Sequence, residues 1–299
     1  NTNVLFAAMW ERTRKPWQRD YAGLTSAIHR STDGGNTWQE LGVAHGLPAP
    51  DEQTGRIGMA ISHSNPNIIY ARFTTNEITN EFNGVYKSVD GGDNWTLVAL
   101  SELSGIDSTF GWYFGKIRVN PTNPDEVYVL GQGLSRSLDG GDNWSNAAGG
   151  MHVDHHSMEF SLSNPDFRVA GNDGGAYLSE DGGASWQKFE NLPITQFYNI
   201  EVDFLQPEQL YGGTQDNNTI RTTTGSLDDY NSIWGGDGFH VNVDPTNSNI
   251  IYVESQFGNL ARSLDGNTFA PATVGIGAND RNNWNTPVVL SPFNSSFVY

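Results

Sequence analysis

An all-β fold built from repeated four-stranded sheets is predicted by three observations. A tryptophan-tagged Ser-x-Asp-Gly-Gly hairpin recurs along the chain, an Asn-Pro dipeptide followed by a β-rich run recurs between the hairpins, and no stretch keeps a helical period. The hairpin is Ser31-Thr32-Asp33-Gly34-Gly35-Asn36-Thr37-Trp38, and it returns at Ser88 to Trp95, Ser137 to Trp144 and Ser179 to Trp186. A decayed copy runs from Ser263 to Phe269. Its aspartates are 57, 49, 42 and 84 residues apart, the last being two periods of 42, so one unit has lost the motif.

The second landmark fills that gap. Asn65-Pro66 leads to Tyr70, Asn123-Pro124 to Tyr128 and Asn164-Pro165 to Val169. Weaker copies lead to Tyr211, Tyr252 and, from Ser291-Pro292, to Tyr299; Asn1 to Phe6 fits the same phase. Periods of forty to fifty residues with several short strands each are the signature of a β-propeller. In the second unit Arg56–Ser62 reads as strand A, Ile68–Phe73 as B, Gly84–Val89 as C and Trp95–Val98 as D, bounded by turn residues.

The expected blades are 1–50, 51–103, 104–150, 151–192, 193–234, 235–280 and 281–299, the first and last incomplete, making one propeller segment and most of a seven-bladed ring. Beginning and ending in the same strand phase, the chain is expected to continue into further domains of a larger protein.

Each Asp-Gly-Gly turn has a physical account. The glycines supply left-handed backbone, the carboxylate accepts amide hydrogens within the turn, and the tryptophan covers it. Asp33, Asp90, Asp139, Asp181 and Asp265 therefore read as structural fasteners in the C–D turns.

Composition narrows the function. The 299 residues carry 34 Asp+Glu against 16 Lys+Arg, a formal net charge of −18. That balance disfavours nucleic acid and anionic membranes as partners, and no apolar run is long enough for a membrane-spanning helix. With no cysteine, disulfides, thiolate metal sites and a cysteine nucleophile are excluded.

The repeated motif resembles the Asp-box, or BNR repeat, of sialidases, family 74 xyloglucanases, sortilin (VPS10) ectodomains and photosystem assembly factors. His152-Val153-Asp154-His155-His156, Gly171 to Gly175 and Gly235 to His240 resemble the sortilin-like proteins that bacteria export. The resemblance implies an Asp-box propeller and an extracellular or cell-surface location. A sialidase is disfavoured, because Arg56-Ile57 is followed by Gly58 rather than Pro and no arginine triad is assembled. One propeller offers at most one side of a family 74 cleft.

With A–B and C–D turns at one end of each blade, ligand-binding groups are expected at the other, in the B–C and D–A connections. The first B–C connection holds Trp10, Arg12, Arg14, Lys15, Trp17 and Arg19, a basic and aromatic run in an acidic chain. It suits a carboxylate or a sugar ring, or else its arginines pair with neighbouring acids. Arg56, Trp112, Tyr113, Gln215 and His240 join it as candidate ligand contacts.

Asp154, Asp173, Asp216 and Asp237 are the candidate acid/base residues. His152, His155 and His156 are candidate ligands for a divalent metal, although no cofactor is required. The same groups also serve as polar anchors for the loops.

Three functions follow as expectations. The first is an exported recognition module for a glycan or a peptide or protein ligand. The second is a glycoside hydrolase or lyase, and the third a structural subunit of a surface assembly.

Overall fold

A computed structural model describes residues 3–75, 82–277, 279–291 and 293–299. Asn1 and Thr2 of the first landmark and Pro292 of the last lie outside the described residues. The described regular structure is almost entirely strand, with three short 3₁₀ turns at Val43–His45, Ser101–Leu103 and Gln256–Gly258. No helix among the described residues is long and apolar enough to cross a membrane.

Five sheets have four antiparallel strands each, in chain order, which is the blade plan of a β-propeller. They are Thr54–Ile61, Ile69–Thr75, Val85–Ser88 and Thr96–Ala99; Lys116–Val119, Val127–Leu130, Leu134–Ser137 and Ser145–Asn146; and His155–Phe160, Arg168–Asn172, Gly175–Ser179 and Gln187–Lys188. Next come Phe197–Val202, Leu210–Thr214, Thr219–Thr222 and Asn231–Trp234, then Val241–Asp244, Asn247–Ser255, Asn259–Ser263 and Phe269–Pro271. The first sheet has three strands, Leu5–Ala8, Ile28–Ser31 and Gln39–Leu41, and the last residues form a single bridge between Leu290 and Val298. The sheets group into two compact units, Asn1–Glu190 and Asn191–Tyr299.

Second strands are the heart of the fold. Ile69–Thr75 and Val127–Leu130 are buried throughout, as expected of a short apolar run covered on both faces. Tyr70, Val85, Ile117, Val127 and Val129 form one core cluster, and Ile28, Leu41, Ile69, Phe73 and Trp95 another. Each such side chain contributes about 1.5–3 kcal/mol on burial.

The Ser-x-Asp-Gly-Gly hairpins lie between the last two strands of their sheets, the third and fourth of the four-stranded ones and the second and third of the first, and they share one hydrogen-bond scheme. In the second sheet Ser88 Oγ donates to Asp90 at 2.9 Å and accepts from Gly92 N at 2.9 Å, while Asp90 accepts from Asn94 N at 2.9 Å. Gly91 and Gly92 hold φ of 77° and 90°, where a side chain is strained. The first glycine also donates across the blade end to the turn between first and second strands, as Gly91 N to Asn67 O and Gly140 N to Asp125 O. The A–B and C–D turns thus meet at one end of the blade, as expected.

Tryptophan burial is uneven. Trp95 is 4% exposed, lying in the core cluster with Ile28 and Leu41 of the preceding blade, whereas Trp38 of the first sheet is 44% exposed. Trp186 donates to Ala147 O at 3.0 Å, a blade away, rather than to its own hairpin.

Two devices were not anticipated. A cation preceding the hairpin serine, or the threonine in its place, reaches the next hairpin: Arg30 to Asp93 at 2.6 Å, Arg136 to Gly182 O at 2.8 Å and, before Thr222, Arg221 to Gly266 O at 2.6 Å. In the fifth sheet, where the motif is missing, Thr222 takes the serine's place. Its hydroxyl donates to Asp229 and accepts from Gly225 N at 2.9 Å.

Candidate functional site

Three first strands begin with the same irregularity. Opposite its partner strand the register skips at Thr54/Ile57, at His155/Ser157 and at Phe197/Asn199. A bulge leaves its extra residue out of the ladder and re-aims the side chain, commonly beside a site. The residues released are Arg56, His156 and Tyr198, and each makes a contact outside its own strand.

In the first unit these contacts build a run of rings. Trp10 stacks toward Tyr21 at 6.5 Å between centroids, and Tyr21 lies on Trp112 at 4.4 Å with 14° between planes. Trp112 abuts Tyr113 at 5.5 Å, and Tyr113 meets His156 edge-on at 5.2 Å. His156 also stacks on Phe114 at 5.4 Å, and its Nε2 lies 2.6 Å from Asp173 Oδ1. Tyr21 is fully buried and Phe114 nearly so, whereas Tyr113 is half exposed, so the ladder is anchored from beneath.

Cations line the same run. Arg12 lies 5.0 Å and Arg56 5.6 Å from the Trp10 ring, within cation–π range. Arg56 donates to Tyr113 O at 2.6 Å, and Lys116 Nζ to His156 O at 2.5 Å. Burial, and then the neighbouring Arg12, lower the pKa of Arg56; burial, and then Arg118 and Arg56, lower that of Lys116. Beside Trp10 opens a cavity of about 510 Å³, lined by Ala7, Met9, Thr25, His29 and Trp38.

The first B–C connection folds into a two-stranded hairpin rather than an open loop. Thr13–Lys15 pairs with Gln18–Asp20, setting Arg14 opposite Arg19. Trp17, at its tip, is 80% exposed.

Of the three histidines expected to share a metal, each has its own environment. His152 Nδ1 lies 2.9 Å from Val153 O, His156 is held by Asp173, and His155 is buried with neither ring nitrogen hydrogen-bonded. Burial, and then His156 and His152, depress the pKa of His155 to about 4. Among the described residues no group of three or more His, Asp or Glu side chains is gathered as a metal site. The expected His152/His155/His156 set is therefore not assembled: the first-strand bulge and the 155/156 alternation turn neighbouring rings to different surroundings. Asp154, left-handed at φ 68°, donates its amide to Gln132 O at 2.9 Å. Asn172 Nδ2 joins the two connections by donating to His152 O at 2.7 Å.

The second unit carries its own polar group. Asp237, 6% exposed, hydrogen-bonds with Asp216, with Gln256 Nε2 at 3.1 Å and with the Tyr198 hydroxyl at 3.5 Å. Its pKa is raised, burial being the main cause. Tyr198 packs on Phe239 at 4.7 Å, and Phe239 on Trp284 at 5.9 Å. Asp216 and Asn218 hold φ of 60° and 74°, the kind of backbone strain that persists only where its surroundings impose it. His240 pairs with Asn199 at 2.7 Å, and burial lowers its pKa; Gln215 N donates to Gln196 O at 2.9 Å.

Sequence reasoning thus named Trp10, Arg12, Arg56, Trp112, Tyr113, His156 and Asp173, which meet, and Asp216 and Asp237, which also meet. It missed Tyr21, Phe114, Lys116, Tyr198, Gln256 and Trp284. Tyr21 and Phe114 lie in the aromatic runs already noticed; Tyr198 carried no signal before its bulge was seen.

No family model matches this chain, and no curated protein matches it. Among solved structures it is similar to the GH74 xyloglucanase from Xanthomonas campestris, at 18% identity over 99% of this chain and 50% of that one, with a TM-score of 0.46. It is also similar to the Niastella koreensis GH74 enzyme, at 17% identity over 93% of this chain and 48% of the enzyme, TM-score 0.43. YCF48 bound to D1 peptide matches at 14% identity over 94% and 90% of the two chains, TM-score 0.38. The chain spans about half the length of the two GH74 enzymes. At these values the likeness assigns no role to any residue here.

Proposed function

We propose that this chain is a recognition module of an exported protein, binding a glycan across the ring ladder of its first unit. The carrying observation is the continuous run Trp10–Tyr21–Trp112–Tyr113–His156, backed by Arg12 and Arg56 on Trp10. Aromatic faces present apolar area to the C–H faces of a pyranose, and guanidinium groups supply hydrogen bonds at the rim. The placement outside the cell rests on reading the repeated hairpins as Asp-boxes.

Calorimetric titration with an oligosaccharide panel, alongside short peptides, tests this. Tyr113→Ala, which keeps the backbone acceptor of Arg56, should weaken binding roughly tenfold, about 1.4 kcal/mol. Heat from no oligosaccharide would sink the glycan reading, and a response to peptides alone would transfer the site to that class.

A second reading rests on Asp237. A carboxyl with a raised pKa beside Asp216 is the arrangement of an acid/base pair. Turnover of a polysaccharide, abolished by Asp237→Asn, would favour a hydrolase or lyase. Turnover unchanged in that variant would remove Asp237 from the chemistry.

A further inference from the structure

Resting on the glycan-binding reading, we propose that the sugar held at the Tyr113–His156 end of the ladder is an acetamido sugar, an N-acetylhexosamine whose amide N–H donates to His156 Nδ1.

His156 presents a fixed tautomer. A carboxylate accepts hydrogen bonds and cannot donate one, so the Nε2 lying 2.6 Å from Asp173 Oδ1 carries the ring hydrogen and Nδ1 keeps its lone pair. The ring is held on several sides. The bulge at His155/Ser157 releases His156 from the ladder, Phe114 stacks on its ring at 5.4 Å, and Tyr113 abuts it at 5.2 Å. Lys116 Nζ anchors the backbone beneath by donating to His156 O at 2.5 Å.

That lone pair is open to a ligand. Among the described residues no hydrogen bond reaches His156 Nδ1, and the side chain is 31% exposed. The ring nitrogens of the adjacent His155 are sealed in the interior; His156 Nδ1 is not, and meets solvent.

The polar groups beside it have the opposite sense. Arg56 and Lys116 are donors only, and each keeps N–H groups beyond those given to Tyr113 O and His156 O. A sugar hydroxyl both donates and accepts, so either imidazole tautomer would serve a plain hexose. A secondary amide is stricter. Its N–H needs an acceptor, which the Asp173-fixed Nδ1 supplies, and its carbonyl needs a donor, which Lys116 or Arg56 supplies. The methyl beyond it is apolar and suits the half-exposed Tyr113 ring, whose plane stands 79° from that of His156. A peptide amide has the same donor and acceptor, but the ring run continuing through Trp112 and Tyr21 to Trp10 favours pyranose faces.

The test is calorimetry on the intact chain with chitotetraose, with cellotetraose, which has hydroxyls in place of the acetamido groups, and with N-acetyl-trialanine amide. Chitotetraose should bind at least about tenfold more tightly than cellotetraose. His156→Phe, which keeps a ring against Phe114 but has no acceptor, should bring the ratio of the two affinities close to one. Asp173→Asn, which no longer dictates the tautomer, should lower the same ratio at least about threefold. Thermal melts confirm folding, and either variant alone decides the matter if the other fails to fold. Equal affinities for the two sugars, or a ratio that neither variant moves, would overturn the inference. If cellotetraose binds as tightly as chitotetraose and Tyr113→Ala weakens both, the glycan reading survives and the acetamide assignment fails. If the peptide binds and neither sugar does, or if nothing binds, both fall together.

Discussion

Arg72 and Asp107 form an ion pair in which both side chains are buried, and this pair fixes the segment that carries the ring ladder. Arg72, on the second strand of its blade, is fully buried, and it also donates to Leu130 O at 2.5 Å and lies 5.4 Å from the Phe82 ring. Asp107 belongs to the connection that leads through Trp112 and Tyr113 into the next blade, and Phe110 N donates to Asp107 O within it at 2.9 Å.

Removing one partner of a buried pair strands the other charge, so Asp107→Ala should cost about 3–5 kcal/mol in urea unfolding. The double variant Arg72→Met with Asp107→Leu should recover much of that loss in stability. Single and double variants equally unstable would show that the pair is not what holds this connection.

His155 makes stability depend on pH. Its folded pKa, near 4, lies below the ordinary 6.5, because burial and two neighbouring histidines oppose the charge. The unfolded chain therefore takes up the proton first on acidification. Its contribution is complete above pH 6.5 and is lost as pH falls toward 4, by at most about 3 kcal/mol. With neither ring nitrogen hydrogen-bonded, His155→Leu should fold and flatten the urea midpoint between those pH values. An unchanged slope would assign the acid sensitivity elsewhere.

The hairpin aspartates act at lower pH. The side chains of Thr37, Asn143 and Ser185, and the Asn94 amide at Asp90, hold Asp33, Asp139, Asp181 and Asp90 near a pKa of about 2, from an ordinary 3.8. Depressed carboxyls stabilise above the unfolded value and lose that support as pH falls from 3.8 through 2. Near-ultraviolet circular dichroism should show a tryptophan transition in that window. Ser88→Ala, which removes the acceptor for Gly92 N, should cost about 1–2 kcal/mol at neutral pH, read by urea unfolding.

The substitute turn in the fifth sheet gives a matched comparison. Thr222→Ser keeps the hydroxyl that binds Asp229 and Gly225, and should be near neutral in thermal unfolding. Thr222→Val keeps the shape and loses both bonds, at about 1–3 kcal/mol. Equal melting of the two variants would mean that Asp229 does not stand in for the missing motif.

Legibility followed locality. Four hairpins could be read because serine, aspartate, glycines and tryptophan are neighbours in sequence, and a turn's hydrogen bonds close over a few residues. The substitute in the fifth sheet was invisible because Thr222 and Asp229 are seven positions apart, a spacing outside the repeat. The site was legible in part for the same reason. Aromatic and basic runs flagged Trp10, Arg12, Trp112 and Tyr113, but no run announces Lys116 or Tyr198.

By itself the sequence determined an all-β propeller of four-stranded blades, the end of each blade that bears the fastened hairpins, and the connections in which polar and aromatic groups gather. Only the tertiary structure decided which of those groups touch. One extra residue at the start of a strand selects Arg56, His156 and Tyr198 for their contacts, and whether a strand bulges is settled by the partner strand's register and the packing of the neighbouring blade, neither of which is written in local spacing.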